Sequence, residues 1–346
     1  MIKSKGYAVH DASSALVPFE FERTEPGKEE VLIDILFCGI CHADIHQAKN
    51  EYGGTIYPLV PGHEIIGRVK SRGENAAKFQ IGDLVGVGYF IDSCRHCDSC
   101  WEQEEQYCEN GITPTQNGKK RDGSITKGGY SNSIVVDEKY VLKVSEDLNA
   151  AAVAPLLCAG ITAYSPLHYW KVGNGHKVAV LGLGGIGHMA VKFASSFGAE
   201  VTVLSGSPSK KDSALKLGAN HFVLTSSQEQ MRDAISSFDF IIDTVSAKHD
   251  YNAYLNLLKK DGTMILLGVP PEAPQLAAYT LISKRRRIVG SLIGSISETQ
   301  EMLDYCAANN ITSEVEIIAP GYINTAFDRT LKGDVKYRFV MDLNKI

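Results

Sequence analysis

Four cysteines, Cys94, Cys97, Cys100 and Cys108, stand within fifteen residues in the spacing C-x2-C-x2-C-x7-C. Thiolates are strong ligands for zinc, and four of them separated by short polar segments suit a closed tetrahedral site that stabilises a lobe without doing chemistry. An iron–sulfur cluster is the rival, because C-x2-C-x2-C also occurs in ferredoxins, but the proline that follows the fourth cysteine there is absent here. Metal-free thiols are the third reading. A second set is dispersed: Cys41 in GICHADIH, His63 in PGHE and Cys158 in PLLCAGITAY. Each alone has a bland explanation, since buried cysteine is a common small hydrophobe. Together they form a Cys2His set whose fourth position stays open, the arrangement of a catalytic zinc. Glu64 is then placed to approach the metal during ligand exchange, and Asp44 to orient the ring of His63 from behind. Cys38 and Cys306 read as packing residues.

A third constellation is Gly182-Leu183-Gly184-Gly185-Ile186-Gly187, between the apolar run KVAVL and a helical pattern. A bare G-x-G-x-x-G is weak, but strand before and helix after supply the context of a dinucleotide fingerprint. Its glycines let the backbone approach a pyrophosphate, whose charge the helix N-terminus stabilises. A tight turn with no ligand is the alternative. The next strand, VTVLS, runs into Gly206-Ser207-Pro208-Ser209-Lys210-Lys211 with no acid before Asp212. Enzymes for NAD place an Asp or Glu there; Ser205 and Ser207 instead donate to a 2′-phosphate and Lys210 neutralises it, which favours NADP(H).

The elements that must position these groups differ between the two parts of the chain. With 346 residues, two domains are expected. The first 150 or so residues hold short β-like runs, such as Val31 to Phe37, Ile65 to Val69 and Leu84 to Val87, separated by Gly, Pro and polar turns. From Lys177 the texture changes to six apolar strands, KVAVLG, VTVLS, HFVL, FDFIIDTV, GTMILLG and RRIVGSLIG, alternating with helical segments. That predicts a doubly wound parallel sheet, hence an α/β protein. Ile186, Met189, Ala190, Phe193, Ala194 and Phe197 repeat at helical spacing and would cover the sheet, with Gly198 as the stop. The polar segment Thr115 to Gly129 reads as a mobile loop with no chemistry assigned to it. Residues near Tyr337 to Met341 look like further β structure, returning the chain to the first domain.

Hydrophobic content of 44% and charged content of 22% are those of an ordinary globular protein. The formal charge of -5 gives no electrostatic footprint for nucleic acid or an anionic membrane surface, and the basic run Lys284 to Arg287 reads as a solvated turn. The start MIKSKGYAVH lacks a secretory apolar segment, and no stretch approaches a membrane span, so the expectation is a cytoplasmic protein. Eight cysteines in that compartment read as metal ligands or packing groups rather than disulfides.

GICHADIH, PGHEIIG, the four-cysteine lobe, CAGITAY, GLGGIGHMAVKFA, the SPSKK turn and GSLIGS occur in one order along essentially the whole chain. In this the sequence resembles the zinc-dependent medium-chain dehydrogenase/reductase family, and within it the cinnamyl alcohol dehydrogenase-like group. The resemblance implies a GroES-like β-rich catalytic domain from residues 1–150 and 291–346, with a structural zinc lobe at about 92–110, around a Rossmann NADP(H)-binding domain from 151–290. It implies an active site in the cleft and commonly a homodimer. Carried over by motif position, Cys41, His63 and Cys158 bind catalytic zinc with Glu64 as neighbour, and Cys94, Cys97, Cys100 and Cys108 bind structural zinc. Thr162, Gly182, Leu183, Gly184, Gly185, Ile186, Gly187, Ser205, Ser207, Lys210, Thr244, Gly268, Ser291, Leu292 and Ile293 match cofactor-contact positions.

The implied activity is hydride transfer between NADPH and an aldehyde, aromatic or medium-chain, with a primary alcohol in reverse. In relatives a proton passes through a Ser or Thr two residues after the first cysteine ligand, the ribose hydroxyl, and a histidine three residues further on. This chain keeps His46 but has Ala43, which has no hydroxyl. A bridging water, a hydroxyl on the substrate, or weak turnover would each account for that. Two other readings stay open: an NAD-dependent polyol or amino-alcohol dehydrogenase, and a catalytically silent zinc- and NADPH-binding sensor or scaffold. Tyr52, Trp101 and Ile293 are candidate pocket-wall residues.

Overall fold

The computed structural model describes residues 1–270 and 272–346. The chain divides into two compact units, Met1–Ile161 with Gly294–Ile346, and Thr162–Ile293. Among the described residues no single helix is long and apolar enough to cross a membrane.

The first unit is built on a seven-stranded sheet. Its long central strand, Glu30–Gly39, pairs antiparallel with Ile65–Arg72, with Ser133–Asp137 and with the C-terminal strand Arg338–Asp342. Val31, Ile33 and Cys38 on it are wholly buried. The register sets Cys38 opposite both Ile65 and Met341, so the C-terminal strand and the segment after His63 meet at one end of this strand. That convergence brings residues far apart in sequence into one place.

The second unit is a six-stranded, all-parallel sheet. Taking its strands in chain order (Lys177–Leu181, Glu200–Ser205, His221–Leu224, Phe238–Asp243, Leu258–Leu266, Arg287–Gly290), the spatial order is 3-2-1-4-5-6. This is the doubly wound dinucleotide-binding topology, in which the strand order reverses beside the first strand. The Gly187–Ser196 helix follows that strand, and Met189, Ala190, Phe193 and Ala194 are fully buried on its inner face. Gly198, with φ +87°, takes the left-handed conformation that ends it.

Three expectations need correction. The division falls after Ile161 and after Ile293, not after 150 and 290. The Ala154–Leu157 turn packs on strands of the first unit's sheet, which binds residues 151–161 there; at the other end Ser291 N–H donates to Leu266 O, extending the second unit's ladder beyond Gly290. The segment from Thr115 is not free of structure: Thr115 is wholly buried and bonded to Gly88 O, and Gln116 is 4% exposed. The basic run is not simply solvated either. Arg286 is buried and donates to the Leu258, Thr280 and Asn256 carbonyls, so a guanidinium here serves as a clamp for three main-chain carbonyls.

Candidate active site

Cys41 sits at the N-cap of the His42–Ala48 helix, and Asp44 at the third helical position closes back on it, accepting from Cys41 N–H at 2.9 Å. The side chain that caps the helix is therefore also anchored against the residue that would ligate. His63 and Glu64 precede the Ile65–Arg72 strand and follow Gly62, whose φ of +105° and crowding against Tyr130 admit no side chain. Cys158 lies where the Ala154–Leu157 turn gives way to the Ala159–Tyr169 helix. These elements bring one ligand atom each from Cys41, His63, Glu64 and Cys158 within 4.8 Å of one another.

The geometry fits a metal. Cys41 Sγ and Cys158 Sγ are 3.9 Å apart, close to the roughly 3.8 Å separating two thiolates bound about 2.3 Å from a common tetrahedral centre. His63 is wholly buried, its Nδ1 meets Asp44 Oδ1 at 2.8 Å, and its Nε2 is buried with no hydrogen-bond partner. A carboxylate behind Nδ1 keeps the proton there and leaves the Nε2 lone pair for a cation. The hydrogen bond between the two thiols holds Cys41 well below the ordinary thiol value, while Cys158 itself is pushed well above. Thiols bind a dication as thiolates, so metal binding at this pair is coupled to loss of its protons. Burial works against charge on His63, but the Asp44 carboxylate and Cys41 outweigh it and raise its pKa.

Glu64 is the fourth member. Burial pushes it up to about 7. Its Oε1 accepts from Arg338 Nη2 at 2.5 Å, and Arg338 also donates to Ile40 O at 2.7 Å. Glu64 Oε2 is buried without a partner, and a Cβ on Gly39 would lie 2.0 Å from it, so only glycine leaves the carboxylate its place. Nearby, His46 Nδ1 pairs with Glu51, and its ring lies 5.2 Å from that of Tyr52.

The four-cysteine lobe closes separately. Cys94 and Cys100 are 3.8 Å apart and Cys97 and Cys108 3.9 Å, again the separation of ligands on one tetrahedral ion. The His96 backbone N–H draws Cys94 down to about 5. No cysteine is in a disulfide, and Cys38 and Cys306, both wholly buried, belong to neither group.

In the second unit, the three glycines of the turn divide their tasks. Gly182 has φ +91°; a Cβ on Gly187 would lie 2.2 Å from Gly182 O; around Gly184 nothing stands within 4 Å. These are the tight turn, the close helix–strand packing and the open approach that a pyrophosphate cradle requires. Lys210 Nζ donates to Leu183 O at 3.1 Å, which lays the Ser207 to Lys211 turn beside the glycines, with Ser205 at the end of its strand. Thr244 follows the fourth strand and bonds Leu181 O; Gly268 follows the fifth, where a Cβ would meet Val245 O at 2.4 Å; Ser291 follows the sixth. Leu292 and Ile293 come next, Ile293 buried, while Thr162 lies on the Ala159–Tyr169 helix. All fifteen cofactor candidates fall within this unit.

Residues 27–146 match the model of the alcohol dehydrogenase GroES-like domain, and 185–308 that of the zinc-binding dehydrogenase domain. NADP-dependent alcohol dehydrogenase C 1 of Mycolicibacterium smegmatis is 51% identical over 97% of each chain. The aldehyde reductase YahK of Escherichia coli is 48% identical over 99% of this chain and 98% of its own. A solved cinnamyl alcohol dehydrogenase of Sorghum bicolor is 45% identical, with a TM-score of 0.96 over 99% of this chain and 98% of that one. This chain belongs to the zinc-dependent alcohol dehydrogenase superfamily. Its place there is in the cinnamyl alcohol dehydrogenase-like group, with a GroES-like domain and a Rossmann domain.

Four residues that bond to the groups of this site escaped the sequence reading: Arg338, Glu51, Gln116 and Tyr130. Arg338 had a signal, a charge inside the apolar strand YRFVM; an arginine there needs a buried partner. Gln116 Oε1 accepts from Gly62 N–H at 2.5 Å, and Tyr130 donates to Asp44 Oδ2 at 2.9 Å. Of the wall candidates, Tyr52 and Trp101 are largely exposed.

Proposed function

We propose that this chain is an NADP(H)-dependent zinc alcohol dehydrogenase that works as an aldehyde reductase on aromatic or medium-chain aldehydes. The observation that carries the metal half is the buried, partnerless His63 Nε2 facing two thiols whose spacing suits one tetrahedral ion. Cys41, His63 and Cys158 would hold catalytic zinc, Glu64 would stand beside it, and Cys94, Cys97, Cys100 and Cys108 would hold a structural zinc. When bound, the catalytic zinc supplies a Lewis acid that stabilises negative charge developing on a carbonyl oxygen. The reduced nicotinamide supplies the hydride.

The remaining work belongs to side chains. Asp44 fixes the tautomer and orientation of His63. Arg338 holds Glu64 by one oxygen, so the carboxylate is restrained on one side and unpaired on the other. His46, its Nδ1 bonded to Glu51, lies near the molecular surface, its side chain 28% exposed. Ala43 supplies no hydroxyl between that histidine and the substrate, and we assign the gap to a water, which hydrogen-bonds nearly as well as a side chain. Ser205, Ser207 and Lys210 favour a 2′-phosphate by charge and by donors.

We also propose that the protein works in the cytoplasm, where eight reduced cysteines are maintained, and as a homodimer. The deciding assay follows NADPH consumption with a panel of aldehydes, with NADH in parallel and a zinc-stripped control. Zinc-dependent turnover with NADPH well above NADH is expected. Tight NADPH binding with full zinc and no turnover would instead favour a silent zinc- and NADPH-binding protein.

A further inference from the structure

The motif Lys127-Gly128-Gly129-Tyr130 has no part in the chemistry so far. Its two glycines let the backbone lie flush against the segment before His63: Gly128 N–H donates to Val60 O, Gly129 N–H to Gly62 O and Tyr130 N–H to Pro61 O, each at 2.8 Å. A Cβ on Gly128 would lie 2.4 Å from Pro61 O, and one on Gly129 2.3 Å from Ile65 Cγ1. The glycines thus permit a contact that fixes Tyr130, which is wholly buried with the edge of Phe327 against its ring. Its phenol ends 2.9 Å from Asp44 Oδ2.

Asp44 is the hub. It is wholly buried and receives four donors: Cys41 N–H and the Tyr130 hydroxyl on Oδ2, the His63 ring and Gly62 N–H on Oδ1. Two of these donors belong to metal-ligand residues. Gln116 takes the shorter bond from Gly62 N–H, which leaves Oδ1 chiefly to the ring of His63. We propose that Tyr130 is a positioning residue for the catalytic metal, clamping the carboxylate that orients His63 and anchors Cys41. The proposal rests on the reading of Cys41, His63 and Cys158 as a zinc centre.

Partners one step behind a ligand typically change metal affinity by about 10- to 100-fold. Tyr130→Phe removes only the hydroxyl and keeps the packed ring. The test is competition of the zinc-replete enzyme and the variant against a chromophoric zinc chelator, with both zincs counted by mass spectrometry. The four-cysteine lobe is the internal reference. The expected result is one zinc surrendered at least about tenfold more readily and the other unchanged. Asp44→Asn should loosen the same zinc, and Tyr130→Phe added to it should change little more, because both act through one carboxylate. Two zincs held as in the parent, or both loosened in parallel, would overturn the proposal. A parent protein that holds zinc only at the four cysteines would sink the metal-site reading itself and this proposal with it.

Discussion

Ala43 is one residue whose replacement should improve the enzyme. It lies in the same helix as His46, three residues before it, with no group to pass a proton. General acid–base steps are commonly worth about 10² to 10⁴ in rate, so restoring a hydroxyl has room to act. Ala43→Ser is expected to raise kcat with zinc content unchanged; an equal or lower rate in fully metallated protein would count against a gap in the relay. Arg338 makes a different prediction. Its loss leaves the Glu64 carboxylate buried and unpaired, which costs roughly 3 to 5 kcal/mol when a buried pair is broken. Arg338→Leu should lower the denaturation midpoint sharply, and Glu64→Gln added to it should restore part of the loss. Equal stability of parent and Arg338→Leu would show that the pair is not an electrostatic tie. Such partners are hard to read from sequence. Cys41 and Cys158 announce themselves by type, but they are 117 residues apart, and only the fold determines that Arg338, a further 180 residues on from Cys158, faces Glu64.

At the scale of elements, the second unit was largely legible and the first was not, for a physical reason. Strands of a parallel sheet are covered on both faces and read as continuous apolar runs; all six stood out in the sequence. The first unit's strands are short and separated by irregular loops, and segments such as Thr115 to Gly129 look polar because their polar atoms are spent on internal hydrogen bonds, as at Thr115 and Thr126. The glycine turn yields a sharp prediction. Gly187→Ala places a methyl 2.2 Å from Gly182 O and should abolish NADPH binding while both metal sites keep their zinc. The neighbouring turn controls which cofactor binds. Charge-assisted hydrogen bonds are worth about 1.5 to 3 kcal/mol each, so Lys210→Ala should lower the NADPH-over-NADH ratio of kcat/KM by roughly ten- to a hundredfold. Ser205→Asp should carry it further by repelling the phosphate. An unchanged ratio in both would remove this turn from cofactor selection.

The whole molecule presents a face that one chain leaves uncovered. The Arg287–Gly290 strand ends the six-stranded sheet, with no neighbour on its outer side among the described residues. In the segment leading to it, Val269, Tyr279 and Ile282 are each more than 70% exposed, and Tyr279 and Ile282 stand three apart on one side of the Ala278–Ile282 helix. An unpaired edge beside exposed apolar groups is a template for association. If two copies met here about a two-fold axis, the same strand would pair with itself antiparallel and the same apolar residues would face each other, which closes the assembly at two. Light scattering on the eluting protein should therefore give twice the chain mass at micromolar concentration. Ile282→Glu with Tyr279→Glu puts four like charges into the interface and should give monomers that still bind both zincs, because every metal-ligand candidate lies in the first unit. A parent protein that elutes as a monomer, or a charged variant that remains a dimer, would place the subunit contact elsewhere or remove it.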